Sequence, residues 1–214
     1  MVNGDRAYAS AVAFLPARKS LKALREAVQG CRGCPLYKNA TQAVFGEGAR
    51  TARILLVGEQ PGNDEDLAGR PFVGPAGRVL DEGLRLAGIE RGDAYVTNAV
   101  KHFSWVAKGK RRMHKKPTTR EVAACLPWLE HELALIEPRV LVCLGATAAQ
   151  ALFGPTFRVT AMRGRLVESR LAPKALATVH PSSILRSRGD AERRAAMKQF
   201  TQDLKVVARL LKSA

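Results

Sequence analysis

At 214 residues, 46% of them apolar, the chain is long enough for one sizeable core and short for two domains. Its 35 Lys and Arg against 19 Asp and Glu give a formal net charge of +16, which points to a polyanionic partner, nucleic acid before membrane. No apolar run approaches the ~20 residues of a membrane span. The N-terminus lacks a charged-then-apolar signal pattern, so a cytoplasmic protein is expected, and its four Cys then argue for metal or cluster binding over disulfides.

Met1–Lys19 is weakly patterned and expected to be loosely ordered, which leaves 20–214 as a single domain. Ser20–Gln29 reads as a short helix with Ser20 as N-cap, ended by Gly30. Cys31-Arg32-Gly33-Cys34-Pro35 follows, a spacing that lets two thiolates reach one metal or cluster. A redox pair is the competing reading, but such a pair should follow a strand, and this one follows a helix. The apolar run from Arg53 to Val57 suits a buried parallel strand. It stops at Gly58, and Glu59 and Gln60 stand before the Pro61-Gly62 turn, at the sheet edge where ligands bind in open α/β folds. A capped strand end with a solvated Glu is the alternative.

Asn63–Gly74 holds an acidic loop and then Arg70-Pro71-Phe72-Val73-Gly74, where Phe72 either stacks on a planar ligand or plugs the core. Ala76–Ala87, closed by Gly88, reads as a crossover helix. Ala94–Val100 is a second strand, with Asn98 near its C-terminal end. An amide there can read the edge of a base or merely cap the strand. In Lys101–Lys116, the cations Lys108, Lys110, Arg111, Arg112, Lys115 and Lys116 crowd one loop beside Phe103 and Trp105. That mixture suits phosphate contacts and base stacking. His114 lies within it, where surrounding positive charge favours a neutral, nucleophilic imidazole; an incidental His on a solvated basic loop is the alternative.

Thr118 and Glu121 are spaced as a capping box for a helix running to Ile136, bent at Pro127. Arg139–Leu144 is a third strand, with Cys143 as a small core residue. Arg165–Leu171 is a possible edge strand; Ala175–Val179 is a further strand that ends at His180. Asp190–Lys212 is an amphipathic covering helix. The expected fold is α/β, a three-layer αβα arrangement around a central, mostly parallel four-stranded sheet. There is no G-x-G-x-x-G or Walker sequence.

Four segments in this order, Gly58-Glu59-Gln60-Pro61-Gly62, Arg70-Pro71-Phe72-Val73-Gly74, Thr97-Asn98 and His180-Pro181-Ser182-Ser183-Ile184-Leu185-Arg186, resemble the uracil-DNA glycosylase superfamily. With Cys31-x-x-Cys34 the chain is similar to its iron–sulfur family, family 4. Two features differ from ordinary members: Lys101-His102-Phe103 replaces K-C-R-P, and the insert K-R-R-M-H-K ends at Lys115. Both resemble the UdgX branch, whose members crosslink to uracil-containing DNA. Asn63 stands where that branch often has Asp. The residues alone point to four Cys ligands; the resemblance implies instead a 4Fe-4S cluster on Cys31, Cys34, His102 and Cys125. Replacing a thiolate by imidazole removes a negative charge and shifts the cluster potential.

The resemblance also implies a mechanism. Uracil, extruded or taken from a single strand, stacks on Phe72 and is read by Asn98, with Gln60 at its rim and Gly58 also among the substrate-binding residues. His180 donates to O2 as negative charge develops, His114 attacks C1′, and Glu59 takes the His114 proton or orients its ring. Lys110, Arg111 and Arg112 contact DNA, as do Ser182, Ser183 and Arg186 in the loop that enters the minor groove. A monomer acting once on single- or double-stranded DNA is expected. Two other readings compete: a multiple-turnover glycosylase, and a non-catalytic nucleic-acid-binding module with a structural metal.

Overall fold

An unbroken Ile-Leu-Leu-Val run needs cover on both faces, and β1 (Ile54–Gly58) is buried at every position. The computed structural model describes residues 8–212. The strands after β1 are β2 (Ala94–Asn98), β3 (Trp105–Lys108), β4 (Arg111–His114), β5 (Val140–Leu144), β6 (Leu166–Val167) and β7 (Lys174–Thr178). The helices are α1 (Leu21–Ala27), α2 (Asn63–Ala68), α3 (Pro75–Ala87), α4 (Thr119–Ile136), α5 (Ala146–Phe153), α6 (Val159–Met162), α7 (Pro181–Leu185) and α8 (Asp190–Lys212).

The main sheet has five strands, not the four expected, in the order β2-β1-β5-β7-β6. All neighbours are parallel except β6, which pairs antiparallel with β7. Side-chain alternation splits the core into two layers. Leu55, Val57, Tyr95 and Leu141 pack under α1, α4 and α5, against Leu24, Trp128, Leu129 and Ala148. Ile54, Leu56, Val96 and Val142 face the other way, onto Leu80 and Leu84 of α3 and Phe200 and Leu204 of α8. The three-layer arrangement follows directly from that split.

Helix ends fall where their caps dictate. Ser20 Oγ accepts from Ala23 N at 3.2 Å, and Thr118 and Glu121 form the reciprocal capping box of α4. Gly88 closes α3 with φ 73°, in the left-handed region open to glycine. Two expected loops are ordered elements. The acidic stretch after Gly62 is α2. The basic stretch is the β3–β4 hairpin, turned at Gly109 with φ 60°. Of the N-terminal segment expected to be loose, residues 1–7 lie outside the described residues. Ala11–Phe14 is a 3-10 turn with Ala11 fully buried, and Ser10 N–H donates to Gly33 O at 3.1 Å. No helix among the described residues is long and apolar enough to cross a membrane.

Candidate active site

Register puts Gly58 of β1 opposite Asn98 of β2, so the two strands end level. Their tips, with those of β5 and β7, open into a cavity of about 670 Å³. Glu59, Gln60, Phe72, Asn98, His114, His180, Ser182, Ser183 and Arg186 all line it, drawn from segments far apart in the chain. Lys110, Arg111 and Arg112 do not.

A flat slot forms at the tip of β1. A Cβ at Gly58 would run into Asn98 Oδ1 and approach Phe72 Cζ to 2.7 Å, so only glycine lets ring and amide close together. Phe72 holds a strained φ of 57°, a conformation that costs ~1–3 kcal/mol and persists only where its surroundings enforce it. They do. A Cβ at Gly77 would collide with the Phe72 carbonyl. Glu65 ties the flanking rims together, accepting from Gly62 N–H at 3.0 Å and Gly74 N–H at 2.8 Å. The Phe72 ring lies 6.2 Å from that of His180, inclined by 28°.

His180 is the N-cap of α7, with Pro181 at the first helical position. Ser182 N–H donates to His180 Nδ1 at 3.2 Å, and Ser182 Oγ lies 2.8 Å from the same nitrogen. Arg186 Nη1 donates to Ser182 Oγ at 3.0 Å, which leaves the hydroxyl proton for Nδ1. Nδ1 is therefore an acceptor, and the neutral ring carries its proton on Nε2. Burial lowers the imidazole to about 4, against the opposing pull of Glu59, so the ring is neutral at ordinary pH. Ser182 and Arg186, expected on DNA, thus act on His180 within the protein. Ser183 Oγ donates to His180 O at 2.8 Å.

His114 reaches the cavity from the end of β4, with Nε2 3.3 Å from Glu59 Oε1 and its side chain half exposed. The other carboxylate oxygen, Oε2, accepts from Thr147 Oγ1 on α5. Burial pushes the Glu59 carboxyl up, but bonds from His114 and Thr147, with the positive charge that His114 and His180 take up in acid, hold it below the usual carboxylate range. Thr147 escaped sequence reading, because the short α5 carries no motif. The available signal was its position just past the glycine that ends β5.

Two anchors fix the hairpin that carries His114. Gln60 spends its whole side-chain amide there: Nε2 donates to Ser104 O and Lys115 O, both at 3.1 Å, and Oε1 accepts from Ser104 N at 3.0 Å. Its side chain is therefore not free to touch a base. Arg112 donates from Nη1 to Asp66 Oδ2 at 2.6 Å and from Nε to Asn63 Oδ1 at 2.9 Å. Its guanidinium also lies over the rings of Phe103 and Trp105, at 5.5 and 5.6 Å. Arg112, expected on DNA, has its charge paired here with the buried Asp66 carboxylate. Lys110 and Arg111 are exposed at the hairpin turn.

Behind the slot, a buried network holds the strand end that carries Asn98. Lys101 Nζ donates to Asn98 O at 2.8 Å and Thr97 Oγ1 at 2.7 Å, and pairs with Glu132. Tyr95 OH donates to Glu132 Oε1 at 2.9 Å.

The Cys residues are all free and buried. Burial pushes the Cys34 thiol up to about 11, with Cys31 and Glu121 adding to it, and the Cys125 thiol up to about 12, with Cys34 and Cys31 adding. Cys143 is raised by burial alone and sits in β5 opposite Val57 and Ala177. Trp128 Nε1–H and Lys101 N–H each approach a thiol, Cys31 and Cys125 respectively, at 3.3 Å. His102 is buried and lowered by that burial to about 4, hence neutral, as a ligand must be. Among the described residues, no group of three or more His, Cys, Asp or Glu is set to hold a single metal ion. A soft thiolate set with N–H donors to sulfur suits an iron–sulfur cluster, whose positive iron core offsets the cost of burying thiolates. A thiol raised this far is a poor redox nucleophile.

Over 181 residues the chain is 40% identical to the Type-4 uracil-DNA glycosylase of Thermotoga maritima, covering 84% of this chain and 91% of that protein. Over 187 residues it is 36% identical to the Type-4 uracil-DNA glycosylase of Pyrobaculum aerophilum, covering 83% and 92%. The Type-5 uracil-DNA glycosylase of Thermus thermophilus is 39% identical over 151 residues, covering 62% and 64%. Residues 45–205, which span the slot, the hairpin and both imidazoles, match the model of the Uracil DNA glycosylase superfamily, and the chain belongs to that family.

Proposed function

We propose that the protein excises uracil from DNA and is then trapped as a covalent adduct between His114 and C1′ of the deoxyribose. The observation that carries this reading is the pairing of His114 Nε2 with Glu59 Oε1 at 3.3 Å, in the same cavity as Phe72, Asn98 and His180. The Type-4 relatives are named as uracil-DNA glycosylases, which supports uracil as the base.

Uracil enters the slot between Phe72 and Asn98, whose amide pairs with the O4 and N3 edge and disfavours the amine of cytosine. As the C1′–N1 bond breaks, the bonding pair leaves on uracil and the sugar becomes oxocarbenium-like. His180, neutral with its proton on Nε2, donates to O2, where the charge develops. The His114 Nε2–H proton passes to Glu59 as Nε2 bonds to C1′. The product is a neutral N-alkylimidazole, a poor leaving group, so one event ends the reaction. Glu59 must be ionised to accept that proton, and its lowered carboxyl provides for this.

The ligand set of a 4Fe-4S cluster is Cys31, Cys34, His102 and Cys125, with Cys143 left to the core. Bound there, a cluster would clamp the N-terminal segment, the stretch leading into the hairpin and α4 together.

The test is a denaturing gel after incubation with uracil-containing single-stranded DNA. Wild type gives a band that survives boiling, and His114→Ser abolishes it and releases uracil repeatedly, because water then takes the nucleophile's place. Uracil release by wild type with no heat-stable band would sink the adduct and leave a multiple-turnover glycosylase. DNA binding with no uracil release would leave a binding module.

A further inference from the structure

The geometry points to Thr147 as a positioning residue for Glu59, whose hydroxyl holds Oε2 and so commits Oε1 to the His114 imidazole. This rests on Glu59 as the proton acceptor of the proposed reaction. Thr147 stands in the first turn of α5, buried, past the glycine that ends β5. Its Oγ1 has Glu59 Oε2 as partner across 88 positions of sequence. A carboxylate with one oxygen free could rotate and share its charge between both atoms. Held at Oε2, it presents a single oxygen at a fixed place, 3.3 Å from His114 Nε2.

The choice of residue fits the task. A β-branched side chain is stiff at χ1, so the hydroxyl is set by the helix rather than by a free rotor. The donor is neutral. A cation in its place would tie up the carboxylate and blunt its basicity towards the imidazole proton. The other charged or titratable groups on the same cavity wall are His114 and Lys116 after the hairpin, His180 and Arg186 around α7, and Glu65 from α2. Thr147 is the donor to Glu59 that stays in place while the proton moves, since His114 gives its own proton up. The hydroxyl bond favours the ionised carboxylate over the acid, as any donor to a charged oxygen does.

The experiment uses the full chain with its cluster and compares Thr147→Val, which keeps the shape and removes the hydroxyl, with Thr147→Ser, which restores it. Glu59 is titrated by carbon NMR of its carboxyl in the protein without DNA. The single-turnover rate of uracil release is measured separately across acid to neutral pH. In Thr147→Val the Glu59 titration moves to higher pH. The rate falls by about tenfold at the acid end, the scale of one hydrogen bond to a charged group, and the loss shrinks towards neutral pH. Thr147→Ser recovers both. Thr147→Ala makes the same deletion if valine impairs folding. An unchanged Glu59 titration in the hydroxyl-free variants overturns the inference, as does an equal loss of rate at every pH. If wild type releases no uracil, the functional reading fails, while the carboxyl titration still decides what Thr147 does to Glu59.

Discussion

Replacing Arg112 by Met separates two jobs that a cation on this hairpin could have. Its guanidinium meets Asp66 at 2.6 Å, Asn63 at 2.9 Å and Thr41 Oγ1 at 3.2 Å. Asp66 is wholly buried, and without Arg112 it keeps the Thr41 N–H contacts at 3.0 and 3.1 Å. Removing one partner of a buried pair costs ~3–5 kcal/mol, and the surviving N–H bonds favour the lower end. For a chain of this length, ~3 kcal/mol corresponds to a fall of roughly 6–12 °C in Tm. The hairpin can relieve part of that by lifting away, which removes His114 from Glu59, so adduct formation should fall alongside Tm. DNA binding should keep its salt dependence. Lys110→Ala and Arg111→Ala, exposed at the turn, should do the reverse. Tm holds, and the slope of log affinity against log salt becomes shallower by about 0.7–0.9 for each phosphate that is no longer neutralised. Calorimetry and a salt titration with a uracil-free oligonucleotide read both quantities. A wild-type Tm with a shallower slope for Arg112→Met would show that Arg112 spends its charge on phosphate and does not anchor the hairpin.

Gly58→Ala fills the slot between Phe72 and Asn98 and should cut uracil release by about a hundredfold, the scale of a roughly 1 Å misplacement, while circular dichroism stays native. With the proposed iron–sulfur cluster as the source of a brown colour, Cys125→Ala should yield a colourless, less stable protein, whereas Cys143→Ala keeps the colour and costs about 1 kcal/mol; visible absorbance and urea unfolding distinguish them. His180 is held at about 4, below the ordinary 6.5, by burial. The unfolded chain therefore binds the extra proton first, and stability falls as pH drops from 6.5 towards 4. Urea unfolding in pH steps should show a flatter fall in that window for His180→Gln, and an identical fall would refute a buried neutral ring.

The central strand was legible because burial on both faces leaves an uninterrupted apolar run, and because Gly58 and Pro61-Gly62 mark its end. Asn98 and His180 were legible by the same logic of strand tips. The hairpin was hidden: its inward positions include Arg112 and His114, so alternation there does not read as apolar and polar. β6 is two residues long, too short to leave a period. Arg112 looks like a free cation in the sequence because a run of positive charge shows no sign of Asp66, 46 positions earlier in the chain. Gln60 falls on the cavity wall as expected, but its amide is consumed by backbone groups of Ser104 and Lys115, a pairing only tertiary structure reveals.

The distribution of charge has a physical logic of its own. In a chain with 35 basic and 19 acidic residues, the groups that hold the site together are largely carboxylates. Glu65 joins two rims of the slot through Gly62 N–H and Gly74 N–H. Asp66 fastens the hairpin through Arg112 and also holds Thr41 N–H. Glu132 gathers Gly46 N–H, Tyr95, Thr97 and Lys101. A carboxylate accepts at two oxygens and several lone pairs, so one acid can join two or three segments by their backbone amides; a Lys or Arg, with donors only, cannot. An acid left outside would repel a phosphate backbone, whereas an exposed cation attracts it. Around the site, acids turned inward and the exposed cations of the hairpin therefore satisfy folding and DNA attraction together. Glu59 breaks the pattern in one respect. It is less sealed than Asp66 or Glu132, and one of its oxygens meets a half-exposed imidazole instead of a buried donor. Proton transfer needs an acid that can change its state, and among these four carboxylates Glu59 is the one whose surroundings leave it free to do so.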